Sequence, residues 1–250
     1  MSVGQAAPET LNIGKVKHMT RPLHIGIVAC SAEGAALCYR TICHEGSQRL
    51  GAHAHPEVSL HSVSLAEYVV CLDRNDLHGV TELMLRSARK LAAAGADFLI
   101  CPDNTIHEAL PFVLSASPLP WLHIAEVVSA EAEARGFRTV GLTGTAWLVA
   151  SNVYPEKLQA RGRSYMRPSE AERETMSRLI MSELVNGVFR PETVAFFQQV
   201  IDGFKQRGCD SVVLGCTEIP LIIHDGNSAL PTLDSTRLLA KAAVSRALAT

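Results

Sequence analysis

Two residues that can move protons stand at matching places in two similar stretches of the 250-residue chain. Gly95-Ala-Asp-Phe-Leu-Ile-Cys-Pro-Asp-Asn-Thr-Ile106 lies on Gly208-Cys-Asp-Ser-Val-Val-Leu-Gly-Cys-Thr-Glu-Ile219 without a gap, and Asp103 falls on Cys216. Each comes after a short apolar run and precedes amide or hydroxyl residues, Asn104 and Thr105 in one case and Thr217 in the other. A carboxylate and a thiol on opposite sides of a small molecule can take a proton from one face and return one to the other, which is general acid–base chemistry. Their ordinary pKa values, about 3.9 and about 8.5, lie far apart, so an untuned pair favours transfer in one direction. An Asp103 that stays ionised instead leaves Cys216 as the sole proton donor, an arrangement suited to a decarboxylase or a cis-trans isomerase of a small dicarboxylic acid.

The elements that must hold these residues are set by the pattern around them. Short apolar, β-branched runs alternate with helix-period segments, which predicts parallel strands joined by crossover helices. The clearest strands are 23–29, 58–63, 97–101, 139–143 and 211–214; apolar spacing of three and four predicts helices over 81–94, 125–135, 169–185, 192–206 and 236–248. A second internal match lays Ile25-Gly-Ile27 on Val140-Gly-Leu142, and both enter small-residue loops, Ala29-Cys-Ser31 and Gly144-Thr-Ala146. Two matches at similar offsets predict an α/β fold of two pseudo-symmetric parallel-sheet halves. Loops at the carboxyl ends of the strands then face each other across a cleft, where open α/β sheets bind ligands, so the active site is expected between the halves. Residues 1–20, with Pro8 and few apolar groups, are expected to form a loosely ordered arm. The first half is expected over 21–118, completed by 217–250, and the second over 119–216.

Val212-Val-Leu214 running into Gly215-Cys-Thr-Glu-Ile-Pro220 resembles the second signature of the aspartate/glutamate racemase family, and Pro102-Asp-Asn-Thr-Ile-His107 resembles the first. Leu122-His-Ile-Ala-Glu126, Val140-Gly-Leu-Thr-Gly-Thr145 and Leu233-Asp-Ser-Thr236 are also similar to the family's pattern, so the resemblance spans about residues 22 to 248. The first signature departs from that pattern. Asp103 stands where most members carry a cysteine, and Cys101 lies two residues upstream. The resemblance implies an isomerase that inverts the Cα of a small acidic amino acid, aspartate- or glutamate-like, without pyridoxal phosphate or another cofactor, with Asp103 and Cys216 as the two proton-transfer groups. A thiol suits this work when a helix N-terminus or a cation lowers its pKa, and Cys216 is expected to precede such a helix.

A carboxylate substrate needs hydrogen-bond donors, and loops that open helices offer them without positive charge. Ser31, Asn104, Thr105, Thr145 and Thr217 are the binding candidates; for Ser31 and Thr145 a plain helix N-cap is an equally good reading. Glu218 either helps to orient and deprotonate Cys216 or satisfies a helix dipole. His107, four residues after Asp103, either tunes it or fills a helix face, and His123 reads as structural. His53-Ala-His55 has a two-ligand metal spacing but no third ligand nearby, so a solvated loop is the better reading and no metal site is expected. Cys30, Cys38, Cys43, Cys71 and Cys209 read as small buried hydrophobes.

Composition bounds the partners. A formal charge of −2 with no basic run gives no footprint for nucleic acid or an anionic membrane. The stretch 109–125, free of Asp, Glu, Lys and Arg, is broken by Pro111, Pro118 and Pro120 and does not read as a membrane helix. The expected partner is a small-molecule carboxylate or another copy of the chain. Seven cysteines without a CxxC spacing point to a reducing cytoplasm. The competing class is a non-catalytic two-lobed ligand-binding protein, in which Asp103 and Cys216 merely line the pocket.

Overall fold

Strand β1 (Ile25–Ala29) is buried along its whole length, as befits a central strand of a parallel sheet covered on both faces. In the computed structural model, which describes residues 21–249, β1 pairs with β2 (Val58–Ser62) and β3 (Phe98–Ile100), and β3 with β4 (Trp121–Leu122). The second sheet repeats the first. Its central strand β5 (Thr139–Thr143) lies between β6 (Ser164–Met166) and β7 (Ser211–Leu214), and β8 (Thr232–Asp234) takes the edge. The strand orders are β2-β1-β3-β4 and β6-β5-β7-β8, every pair parallel. Register is preserved as well: Ile27 sits opposite Ile100, and Leu142 opposite Val213. These are residues that the two internal sequence matches relate, so the chain adopts the expected α/β architecture of two pseudo-symmetric halves. The arm expected over residues 1–20 lies outside the described residues.

The repeated Gly-x-Asp does the same work twice. Helices α3 (Leu77–Ala93) and α9 (Pro191–Gln206) each end just before a glycine of positive φ, Gly95 at +88° and Gly208 at +92°. That left-handed turn lets the N–H groups of Ala96 and Cys209 reach back to the carbonyls of Leu91 and Phe204, both at 3.0 Å, closing each helix end. Two residues past the glycine, the Asp97 carboxylate accepts the His24 N–H at 2.7 Å, and Asp210 accepts those of Arg138 and Thr139 at 2.7 and 3.2 Å. The motif therefore stops a helix and ties the start of β3 to β1, or of β7 to β5. Asp103 and Cys216 are delivered to the carboxyl ends of those strands in consequence.

Alternation along the strands sorts the apolar residues between two faces. On the first sheet, Ile25, Ile27, Phe98 and Ile100 pack against α1 (Ala32–Leu50) and α10 (Ser235–Leu248). Val28, Leu99 and Cys101 pack on the other face against α3, α2 (Leu65–Asp73) and α4 (Leu110–Leu114). On the second sheet, Val140, Leu142 and Val213 meet α5 (Ile124–Ala134), α6 (Ala146–Ala150) and α7 (Val153–Gln159), while Val212 and Leu214 meet α8 (Glu170–Ser182) and α9. Burying each such Leu or Ile side chain contributes about 1.5–3 kcal/mol, so the double cover is what fixes the sheets.

The expected boundaries between halves need correction. Residues 119–216 do not form one half: β4 at 121–122 belongs to the first sheet, and β8 at 232–234 to the second. The helices after these two edge strands then cross over. Helix α5 packs largely on the second sheet, α10 on the first, and the two helices pack against each other. Edge strands of two and three residues are too short to show a period, which is why β4, β6 and β8 escape a reading of the sequence. Among the described residues, no helix is long and apolar enough to cross a membrane.

Candidate active site

Loops from both halves meet at the carboxyl ends of β1, β3, β5 and β7 and line one small cavity. Ser31, Asn104, Thr105, Thr145, Thr217, Asp103, Cys216 and Glu218, the eight candidates read from the sequence, all lie on its wall. A wider cleft opens elsewhere, on His107, His123, Glu126 and Lys157, and neither Asp103 nor Cys216 lines it. The groups able to move protons are in the smaller cavity.

Two hydrogen bonds stitch the halves together around the site. Ser31 Oγ lies 3.0 Å from Thr217 Oγ1, and Thr105 Oγ1 lies 3.0 Å from Thr145 Oγ1. Ser31 and Thr145 also cap helices, accepting the N–H groups of Gly34 and Leu148 at 3.3 Å. Capping and site-building are thus one role. Thr217 packs so closely on the first turn of α1 that a Cβ at Gly34 would come within 2.3 Å of its side chain. Asn104 is held by both ends of its amide: Nδ2 donates to Ser235 Oγ at 3.0 Å, and Oδ1 accepts from the Tyr154 hydroxyl at 2.6 Å. Ser235 in turn donates to the Leu214 carbonyl at 2.8 Å, which pins the loop after β3 to the end of β7.

On the β7 side the Cys216 thiol donates to Glu218 Oε2 at 2.8 Å, and the Thr217 hydroxyl donates to the same oxygen at 2.7 Å. With its proton committed to Glu218, Thr217 accepts from Ser31, so the chain runs Ser31 to Thr217 to Glu218. Glu218 is 1% exposed, and its second oxygen, Oε1, has no hydrogen-bond partner. Burial, and then the Glu218 charge, push the Cys216 thiol well above its ordinary pKa. The expectation of a lowered thiol is thereby overturned. In place of the expected helix, Cys216 leads into a single 3-10 turn, Ile219–Leu221, and the charged groups around it are carboxylates, so the resting residue is a protonated acid.

On the β3 side Asp103 Oδ1 accepts the Ile106 N–H at 3.2 Å. Burial still outweighs that bond and pushes the Asp103 carboxyl up to about 6. Cys30, at the end of β1, shares the cavity with Asp103; burial first, then the Asp103 charge, raise this thiol well above its usual range. Cys101 lies behind them, buried, its thiol 3.8 Å from the Asp103 carbonyl, and does not line the cavity. His107 donates from Nδ1 to the same carbonyl at 2.7 Å, and its Nε2 accepts the Ile124 N–H at 3.3 Å. Both nitrogens being engaged, with burial lowering its pKa to about 3, His107 is a neutral strut for the Asp103 backbone. His123 caps α5 by accepting the Ala125 N–H at 3.1 Å, and its ring lies 4.9 Å from that of His107.

The remaining candidates fall outside the site. Cys38 and Cys209 are core residues, whereas Cys43 and Cys71 are only half-buried, because each sits on a helix flank open to solvent. His53 and His55 stand exposed on a turn after α1. Cys30 is the site residue that reading the sequence misses. The available signal is position: Cys30 directly precedes the cap Ser31, and the internal match lays it on Thr145.

Two parallel sheets of matching strand order meet at this cavity, with a carboxyl and a thiol at equivalent strand ends. The chain belongs to the Asp/Glu/hydantoin racemase family, whose model matches residues 27–243, and is thus an isomerase of the racemase kind. It is 26% identical over 170 residues, 66% of this chain and 71% of the relative, to the broad specificity amino-acid racemase RacX of Bacillus subtilis (strain 168). Among solved structures it is similar to a candidate Asp/Glu racemase from Yersinia pestis, with TM-score 0.82, 27% identity, and coverage of 90% of this chain and 99% of that one. It is also similar to an aspartate racemase homologue from Pyrococcus horikoshii OT3, at TM-score 0.77 and 25% identity, covering 90% and 98%.

Proposed function

We propose that this protein interconverts the enantiomers of a small amino acid of the aspartate/glutamate kind by proton transfer at Cα, without a cofactor. The observation that carries this reading is the pair of unlike proton-transfer groups, Asp103 and Cys216, on one cavity between equivalent strand ends. The ionised Asp103 carboxylate takes the Cα proton from one face, and the electron pair of that bond passes into the substrate as a carbanion. The one hydroxyl proton that the Thr105–Thr145 pair leaves free, with nearby backbone N–H groups, holds the carboxylate that shares this charge, while Ser31 and Thr217 keep their protons in the chain to Glu218. The Cys216 thiol then donates its proton to the opposite face, leaving a thiolate, and the configuration is inverted. In the reverse direction Cys216 must first lose its proton, and Glu218 Oε2, 2.8 Å away, is placed to receive it.

Decarboxylation through Cys216 alone has no need of a base on the opposite face, and a carboxyl that titrates near neutrality there favours the two-sided scheme. Seven free cysteines, two of them in the site, suit a reducing compartment such as the cytoplasm. The test is proton NMR in D2O with aspartate and glutamate as separate enantiomers, in EDTA. Deuterium entering Cα together with the appearance of the mirror-image amino acid is the expected result; a wild-type chain that exchanges no amino acid at Cα refutes the reading.

A further inference from the structure

The rest of the same cavity wall points to a second class of substrate, an inference that rests on the racemase reading. Leu65, Val69 and Leu72 are spaced as one stripe of α2 and face the cavity from the first half. Trp147 on α6, Met181 on α8 and Val185 just beyond it face the cavity from the second half. All six are only partly buried, whereas the strands beneath carry fully buried apolar residues. Apolar side chains left part-open around a half-open cavity gain when a ligand's apolar group covers them.

Charge argues the same way. Among the described residues no lysine, arginine or histidine lines this cavity, while the carboxyls of Asp103 and Glu218 both do. A zwitterion with an uncharged side chain enters with no net charge, and its ammonium group is welcome beside those carboxyls. An acidic side chain brings one more carboxylate into a buried site that offers it no cation. Hydroxyls and N–H groups on the loop side suffice for the α-carboxylate that every amino acid carries.

We propose that this racemase also inverts α-amino acids with uncharged apolar side chains, of the valine, leucine and methionine kind, at least as efficiently as aspartate and glutamate, the side chain lying against the wall formed by α2, Trp147 and the end of α8. The balance of the reaction is unchanged: one Cα proton leaves to the enzyme and one returns.

The experiment compares kcat/KM for valine, leucine, methionine, aspartate and glutamate, each from both enantiomers, on the full chain. A best apolar substrate equal to or above the best acidic one supports the proposal, and a best acidic substrate above every apolar one overturns it. Should no amino acid be turned over, the racemase reading itself has failed. Calorimetric titration with leucine and with aspartate then judges the wall alone, tighter leucine supporting it and tighter aspartate overturning it. Met181→Lys and Val69→Lys place a cation on the wall from different elements. Either is expected to shift the acidic-to-apolar ratio of kcat/KM towards acidic substrates by at least about ten-fold, and an unchanged ratio in folded variants of both counts against the proposal.

Discussion

On the Cys216 side of the cleft a thiol stands just past β7 and its carboxylate partner, Glu218, comes two residues later on the same loop. On the Asp103 side the carboxylate stands just past β3, and its thiol partner, Cys30, comes from the end of a different strand, β1. Both sides pair sulfur with a carboxyl, yet their proton affinities diverge. Burial raises Asp103 only to about 6, whereas both thiols are pushed well above their ordinary range. At neutral pH the first side therefore rests as a base and the second as an acid. The lesson is that a pseudo-symmetric scaffold can hold a site loaded for one direction of transfer, although the equilibrium between enantiomers stays where the substrate sets it.

The largest effect expected is from Cys216→Ser, which keeps the size of the side chain but removes the accessible ionisation. Racemisation should fall by roughly 10²–10⁴-fold, the usual worth of a positioned acid or base, with the melting temperature little changed. Exchange with D2O sharpens the comparison. The enantiomer whose Cα–H faces Asp103 should still wash in deuterium, and its mirror image should not. Equal loss for both would show that the two sides do not work independently. Asp103→Asn should give the opposite selectivity, with a loss of similar order. In the wild type, the direction that uses Asp103 as base needs the ionised form, so its rate should rise through about pH 6 and level off above it. That inflection should vanish in Asp103→Asn; if the variant keeps full two-sided exchange, the base on that face is Cys30.

How much is legible in the sequence depends on the range of the interactions involved. The Gly-x-Asp repeat is local chemistry, a left-handed cap and a carboxylate reaching one strand over, so it is legible and places Asp103 and Cys216 on equivalent strand ends. All eight candidates reach the cavity because they cluster on loops next to those ends. Cys30 is not legible because only the pairing of β1 with β3, which sets Ile27 opposite Ile100, brings its carboxyl partner to it. The state of Cys216 escapes for the same kind of reason: a raised thiol depends on burial by both halves, which no local motif reports. His107 stays ambiguous until the carbonyl that it holds is located.

Stability offers a smaller and independent test of the Asp103 side. A carboxyl raised from 3.8 to about 6 binds its proton more tightly in the native chain than in the unfolded one. Below about pH 3.8 both states are protonated and nothing is lost; between there and about 6 the unfolded chain gives up its proton while the native chain keeps it, so stability falls as pH rises. At about 1.36 kcal/mol per unit the total is about 3 kcal/mol by pH 7, an upper bound because Asp103 keeps part of its surface open to the cavity. Asp103→Asn cannot ionise, so its stability advantage over the wild type should grow across this window. The lowered histidines, His107 and His123, tilt both chains the other way and cancel in the difference. Denaturant unfolding at pH 4 and pH 7 reads the result, and equal stabilities at pH 7 would mean that Asp103 is better solvated than its burial implies.

The smallest effect is the most specific to the pairing of Cys30 with Asp103. The Cys30 thiol beside the carboxyl favours its ionised form and so pulls the Asp103 pKa down against the pull of burial. Cys30→Ala removes that contact and leaves the Ile106 N–H bond to oppose burial with less help, so the inflection of the pH–rate profile should move above about 6. At pH 7 the ionised fraction falls accordingly: a hydrogen bond to a charged group at the low end of its range is worth about one pKa unit, so the rate in the direction that uses Asp103 should drop by about two-fold. The opposite direction starts with the proton on Asp103 and should be affected less. Cys30→Ser restores a donor and should bring the inflection most of the way back. If Cys30→Ala instead abolishes exchange on that face as completely as Asp103→Asn, the thiol is itself the group that touches the Cα proton, and the two sides of the cleft are more alike than their loops suggest.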